Sequence, residues 1–218
     1  MRKLLASAAA AVAVLGFAQS PAEAATKTTQ CDGTLTGTYQ RVVVPEGATC
    51  TLDGATVRGN VVVKSGATLV SLFTDVRGNI RGTDAKTVRI IGDIDTRLAR
   101  NIFLTGTTDR IVIGAEGCQL DPPVAHNVML RDNSATIAVC EVTTKNNIVV
   151  AGNTGQIGLF RNDAGTNLRV VGNDVVDDRP IRLRNNTADV NLACRENSPA
   201  PQGNGNEAAH KTGQCAGL

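Results

Sequence analysis

Aromatic side chains are scarce: 2% of the 218 residues, with one Tyr, four Phe and no Trp. That leaves no stacking platform for bases or sugar rings. Net charge is also nearly missing, since 22 basic residues face 20 acidic ones. Such cancellation predicts neither a strongly basic face for nucleic acid nor an acidic tail. Beyond the N-terminus no apolar run is long enough to span a membrane. The chain has no phosphate-cradling glycine loop, no Gly-x-Ser-x-Gly, no His-Glu-x-x-His and no calcium-loop pattern. It has no Cys-x-x-Cys, and its only histidines are His126 and His210. Neither a metal nor a cofactor is therefore expected. What is abundant is glycine, at 22 residues, and apolar character, at 42%. A chain this apolar is not disordered.

Residues 1–24 read as a secretory signal rather than as structure. Arg2 and Lys3 precede an apolar run from Leu4 to Phe17, and Ala22-Glu23-Ala24 supplies the small-x-small cleavage site. A signal anchor is the alternative, disfavoured because the run is short for a spanning helix. Six cysteines follow: Cys31, Cys50, Cys118, Cys140, Cys194 and Cys215. An even count in an exported chain reads as three disulfides, with 15 connectivities open. The cysteines fall in three local groups, which favours Cys31–Cys50, Cys118–Cys140 and Cys194–Cys215.

Internal repetition is the strongest signal. Asn followed by an aliphatic residue recurs at 60, 79, 101, 127, 147, 167 and 191, at intervals of 19, 22, 26, 20, 20 and 24. Arg41-Val42-Val43-Val44 keeps the phase without the Asn. A second column of aliphatic pairs runs alongside, from Cys50 and Leu52 to Ile181 and Leu183, and takes its insertions at the same places. A weaker third segment, clearest in Val57-Arg58-Gly59 and Val76-Arg77-Gly78, precedes the Asn. Short alternating strands broken by Gly, Asn and Asp, repeating near twenty residues, predict a right-handed parallel β-helix of about eight turns. A β-sandwich is the runner-up, but it does not require equivalent positions to keep their identity. The expected layout is a cap and first turn over 25–52, the β-helix over 53–194 and a disulfide-closed, irregular cap over 195–218.

In this register the positions one and three after each Asn point inward, and only Gly82 interrupts their apolar column. The Asn itself is expected at a turn, in a left-handed conformation, with its amide bonded to the copies above and below. The position two after the Asn points outward and reads Val43, Val62, Arg81, Phe103, Met129, Val149, Arg169 and Ala193. An apolar ladder of this kind marks a ligand or partner face unless the cap, the insertion at 118–127 or the loop at 173–180 covers it.

Chemistry is sparse. Asp93-Ile94-Asp95 and Asp177-Asp178-Arg179 are carboxylate clusters suited to calcium or acid–base work, though turn capping explains them as well. Arg58, Arg77 and Arg97 recur one turn apart beside Asp75 and Asp95, which predicts a surface ion-pair ladder. Glu141 and Arg161, one turn apart, are expected to pair. Threonine is frequent, but Thr36-Gly37-Thr38 and Thr105-Gly106-Thr107 do not repeat in phase, which argues against an ice-binding face.

The opening Cys31-x-Gly33…Val44-Pro45-x-Gly47-Ala48-x-Cys50-x-Leu52 and the repeated Val-x-Gly-Asn resemble small secreted parallel β-helix proteins of actinobacterial type. So does the closing Cys194-x-x-Asn197-x-Pro199-x-Pro201…Gln214-Cys215. That resemblance implies fold and export but no activity, and the pair Cys118 and Cys140 lies outside it. The expectation is thus a secreted solenoid that presents Val62, Arg81, Phe103, Met129, Val149 and Arg169 to an extracellular protein or glycan, or to a second copy. A small β-helix lyase or hydrolase acting on acidic polysaccharide is the alternative.

Overall fold

A computed structural model describes residues 27–118, 122–176 and 179–218. The signal segment and the Asp177-Asp178 pair lie outside these residues. The chain coils into three-sided turns, and every strand pairing is parallel. The first sheet takes the strands that follow each repeated Asn, such as Arg41–Val44, Val61–Val63, Ile80–Thr83, Asn147–Ala151 and Asn167–Val171. A second sheet holds nine strands in sequence order, from Gly33–Leu35 to Gln202–Asn204. The third side is made of short strands, beginning with Thr38–Tyr39, Thr56–Val57 and Asp75–Val76. The long strands Arg97–Thr105, Val124–Arg131 and Thr187–Arg195 bend from the third side into the first.

Nine strands in the second sheet make about nine turns rather than the eight expected. The extra turn comes from the tail. Its Gly, Pro and Asn content reads as irregular, yet Gln202–Asn204 pairs with Arg182–Arg184, and Glu207–Gly213 pairs with Thr187–Arg195. Parallel pairing needs only backbone groups, so a polar tail can add strands to an edge that is already formed.

The core is a stack of aliphatic rows. Val42, Val61, Ile80, Ile102, Val128, Ile148, Leu168 and Leu192 are all 0–1% exposed. They stand directly above one another in the ladder. The neighbouring row is broken only by Gly82, where the side chain of Leu104 on the next turn fills the space: a Cβ on Gly82 would stand 2.9 Å from Leu104 Cδ2. A narrow interior lined one residue deep suits Val, Ile and Leu and leaves little room for large rings.

The three disulfides are those favoured by the local grouping, with Cα–Cα distances of 5.4, 5.3 and 5.2 Å. Cys31–Cys50 ties the entry turn, and Cys194–Cys215 ties the last. Cys118–Cys140 fastens the insertion to a strand of the second sheet. The Cys118 end of that insertion therefore lies at the second sheet. Three disulfides belong to an oxidising compartment. No helix among the described residues is long and apolar enough to cross a membrane.

Candidate functional site

The first sheet places the repeated Asn and the positions two and four beyond it on its outer surface. The row two beyond the Asn stacks without a slip, Val43 on Val62, then Arg81, Phe103, Met129, Val149, Arg169 and Ala193. Arg81 and Arg169 are exposed, and the apolar members are half-buried. The guanidinium of Arg81 lies 5.6 Å from the centre of the Phe103 ring, a cation–π contact between adjacent turns. Phe103 thus serves the surface, outside the core.

Beside this row the Asn side chains form an amide ladder. Asn101 Nδ2 donates to Asn79 Oδ1, and Asn127 Nδ2 to Asn101 Oδ1, each at 2.8 Å. Asn147, Asn167 and Asn191 continue it. The stacking follows the sequence expectation, but the backbone does not. None of these Asn residues has a positive φ; the left-handed corners are filled instead by residues such as Phe73, Asp84, Asp132, Glu141 and Arg161. The ladder Asn sits in or beside a strand, so extended backbone suffices.

Charge is distributed differently from what the near-neutral composition predicts. On the outer surface of the first sheet stand Arg41, Lys64, Arg81, Arg131, Arg169 and Arg195, all exposed. No acidic side chain occupies the Asn position or the positions two and four beyond it. Acids return at the corner, as Asp84, Asp132 and Glu196, and along the border with the third side, as the exposed Asp163 and Asp189. A chain near neutrality can still carry a basic face when its acids collect elsewhere. Two shallow depressions open on this face. Arg41, Asn60, Lys64 and Arg81 line one of ≈ 490 Å³, with Asp84 the one carboxylate at its rim, and Asn167, Arg169, Asn191 and Arg195 line another of ≈ 510 Å³.

A third depression, ≈ 440 Å³, opens where the repeat is interrupted. The turn at Asp93–Thr96 and the insertion before Val124 shift the ladder between Arg97 and Ala99, and the gap is lined by Asp95, Arg97, His126 and Lys145. Partial burial, reinforced by the charges of Lys145, Arg100 and Arg97, holds the His126 pKa below its ordinary value. Asp93 is not part of this convergence. Its carboxylate accepts the Thr96 hydroxyl at 2.6 Å and caps its own turn.

The predicted ion-pair ladder reduces to one rung. Arg77 meets Asp75 at 3.5 Å, while Arg97 and Asp95 form no pair within 4.0 Å. Arg161 pairs with the buried Glu141 as expected and also donates to the carbonyl of Cys118. Threonines do stack in phase: Thr49, Thr68 and Thr87 occupy one row of the second sheet, and Arg110 breaks the row before Thr136. The Thr-Gly-Thr tripeptides gave no hint of it, since that row uses strand starts.

Two further amide ladders escaped the sequence reading. Asn133, Asn153, Asn173 and Asn197 form one, ending on Gln214; Asn162, Asn186 and Asn206 form the other. They are buried at the corners, and each Nδ2 also reaches a carbonyl of an earlier turn, as Asn153 does to Leu130. Their spacings of 20 and 24 repeat the main period, but no aliphatic residue follows them to mark the pattern.

Comparison with protein-family models, curated proteins and solved structures found no match to this chain. The parallel solenoid therefore stands on the geometry itself.

Proposed function

We propose that this chain is a secreted, non-catalytic binding solenoid whose first sheet offers its outer face to an extracellular or cell-surface partner. The in-register row from Val43 to Ala193 carries the reading, because it combines apolar positions with exposed Arg81 and Arg169 over the length of the rod. A face held by continuous backbone ladders loses little conformational freedom on docking, which favours recognition by a preformed surface. The Ala22-Glu23-Ala24 cleavage motif and the three disulfides support export.

The test is a panel of immobilised extracellular glycans and surface proteins. Phe103→Ala and Met129→Ala are expected to weaken capture by about ten-fold, while Val112→Ala on the second sheet leaves it unchanged. Equal capture by all three variants would remove the first face from the function.

The depression at Asp95, Arg97, His126 and Lys145 favours a second reading, a small β-helix lyase or hydrolase acting on acidic polysaccharide. It brings one carboxylate and two cations to the same gap. Incubation with polygalacturonate or alginate and calcium, followed by ultraviolet absorbance, decides whether unsaturated product is released. Product formation would displace the binding reading, and a flat trace supports it.

A further inference from the structure

We infer that the partner of the first face is a linear acidic polysaccharide, a chain of sugar rings bearing carboxylates, lying along the rod. This rests on the binding reading above and adds the chemistry of the partner. The six cations of that face leave two of its eight turns from Arg41 to Arg195 without one. Arg100 fills the first gap and Lys145 the second, both exposed along the border with the third side. Every turn therefore carries at least one cation, and the border shared by Arg100 and Lys145 also holds Asp163 and Asp189. At the ~4.8 Å spacing of stacked strands the band runs on the order of 34 Å.

A second regular feature runs parallel to this band. From Asn101 to Asn191, each ladder Asn uses one amide hydrogen to reach its neighbour. An amide has a second hydrogen and two acceptor lone pairs, so donor and acceptor capacity remains along the row. The half-buried Asn60, Asn167 and Asn191 line the same two depressions as the cations. Cations beside amides suit a polymer that repeats carboxylates beside hydroxyls.

The alternatives fit less well. Single-stranded nucleic acid needs aromatic platforms, and the face has only Phe103, already covered by Arg81. Duplex nucleic acid advances one phosphate per ~3.4 Å of strand and winds away from a flat surface. An anionic membrane needs protruding apolar anchors. Of the large apolar side chains that protrude, Ile94, Val176 and Phe73, at 61%, 59% and 48% exposed, stand in turns off the strands of the first sheet, and only Val190, at 41%, lies in one of its strands.

The experiment titrates the disulfide-intact protein with sodium polygalacturonate, dextran, phosphatidylglycerol vesicles and single-stranded DNA. Two charge-reversed variants are compared: Arg81→Glu/Arg131→Glu/Arg169→Glu on the first face, and Arg182→Glu/Arg184→Glu on the second. Circular dichroism checks that both keep the wild-type fold. Binding of polygalacturonate that weakens with salt, falls at least about ten-fold in the first variant and holds within about two-fold in the second supports the inference. Tighter binding of DNA or vesicles, equal loss in both variants, or no polygalacturonate binding overturns it. Capture of dextran that depends on Phe103 would overturn the acidic partner while leaving the binding reading intact.

Discussion

At the residue scale, asparagine organises this molecule, and its two settings predict different costs. Asn153 is fully buried; its Oδ1 accepts from the backbone and side chain of Asn133, and its Nδ2 donates to Leu130 and Asn173. Asn153→Leu strands those partners without water, and an expected loss of about 2–4 kcal/mol should appear in urea unfolding. Asn147→Ala, in the half-buried outer ladder, should cost about 1 kcal/mol or less. Equal losses would show that burial does not set the ladder's worth. The outer ladder was readable because an aliphatic residue follows each Asn. The corner ladders were not, because their Asn residues answer to backbone carbonyls one turn back, a relation no local pattern displays. His126 adds a pH effect. Its pKa is lowered in the folded state, by partial burial first and then by Lys145, Arg100 and Arg97. The unfolded chain therefore takes up the proton first, and this contribution to stability is lost as pH falls from about 6.5 toward the lowered value. Lys145→Ala should raise the His126 pKa toward its ordinary value in an NMR titration, and an unchanged value would remove Lys145 from the cause.

At the scale of strands and turns, packing couples neighbours along the rod. Leu104 occupies space that Gly82 leaves empty on the preceding turn. Leu104→Ala should cost about 2–5 kcal/mol, and Gly82→Ala should cost energy by crowding the leucine. Combined, the two changes should cost less than the sum of the singles, because the added methyl enters the vacated space; strict additivity in a double-mutant cycle would show that the two turns do not share it. Intervals of 22 and 26 in the Asn series announced where the regular turn breaks. They could not say that the break opens a gap at His126, nor that Cys118 carries the insertion toward the second sheet, because both depend on which corner absorbs the extra residues.

At the scale of the whole molecule, each turn touches only its neighbours, so stability is a sum along one dimension. The terminal disulfides should then protect locally. Cys194→Ser/Cys215→Ser is expected to speed hydrogen exchange in 187–213 while Val61–Val63 and its neighbours stay protected. Uniform acceleration would mean the rod melts as one unit. The near-neutral composition, which predicts no strongly basic face for nucleic acid, gave no sign of this row of cations. Composition counts charges, whereas the coil sorts them by residue position within each turn, and the first face collects its cations from six of its eight turns.

The constant spacing of Asn127, Asn147 and Asn167 makes length a modular property. Excising 147–166 would bring Asn167 onto Asn127 with the strand register kept. The rod would shorten by one step of ~4.8 Å and keep its cross-section. Lengthening by duplication follows the same arithmetic. Reach along a partner can therefore change in whole turns without redesigning the core or either tied end, provided corner partners such as Arg161 of the buried Glu141 are kept.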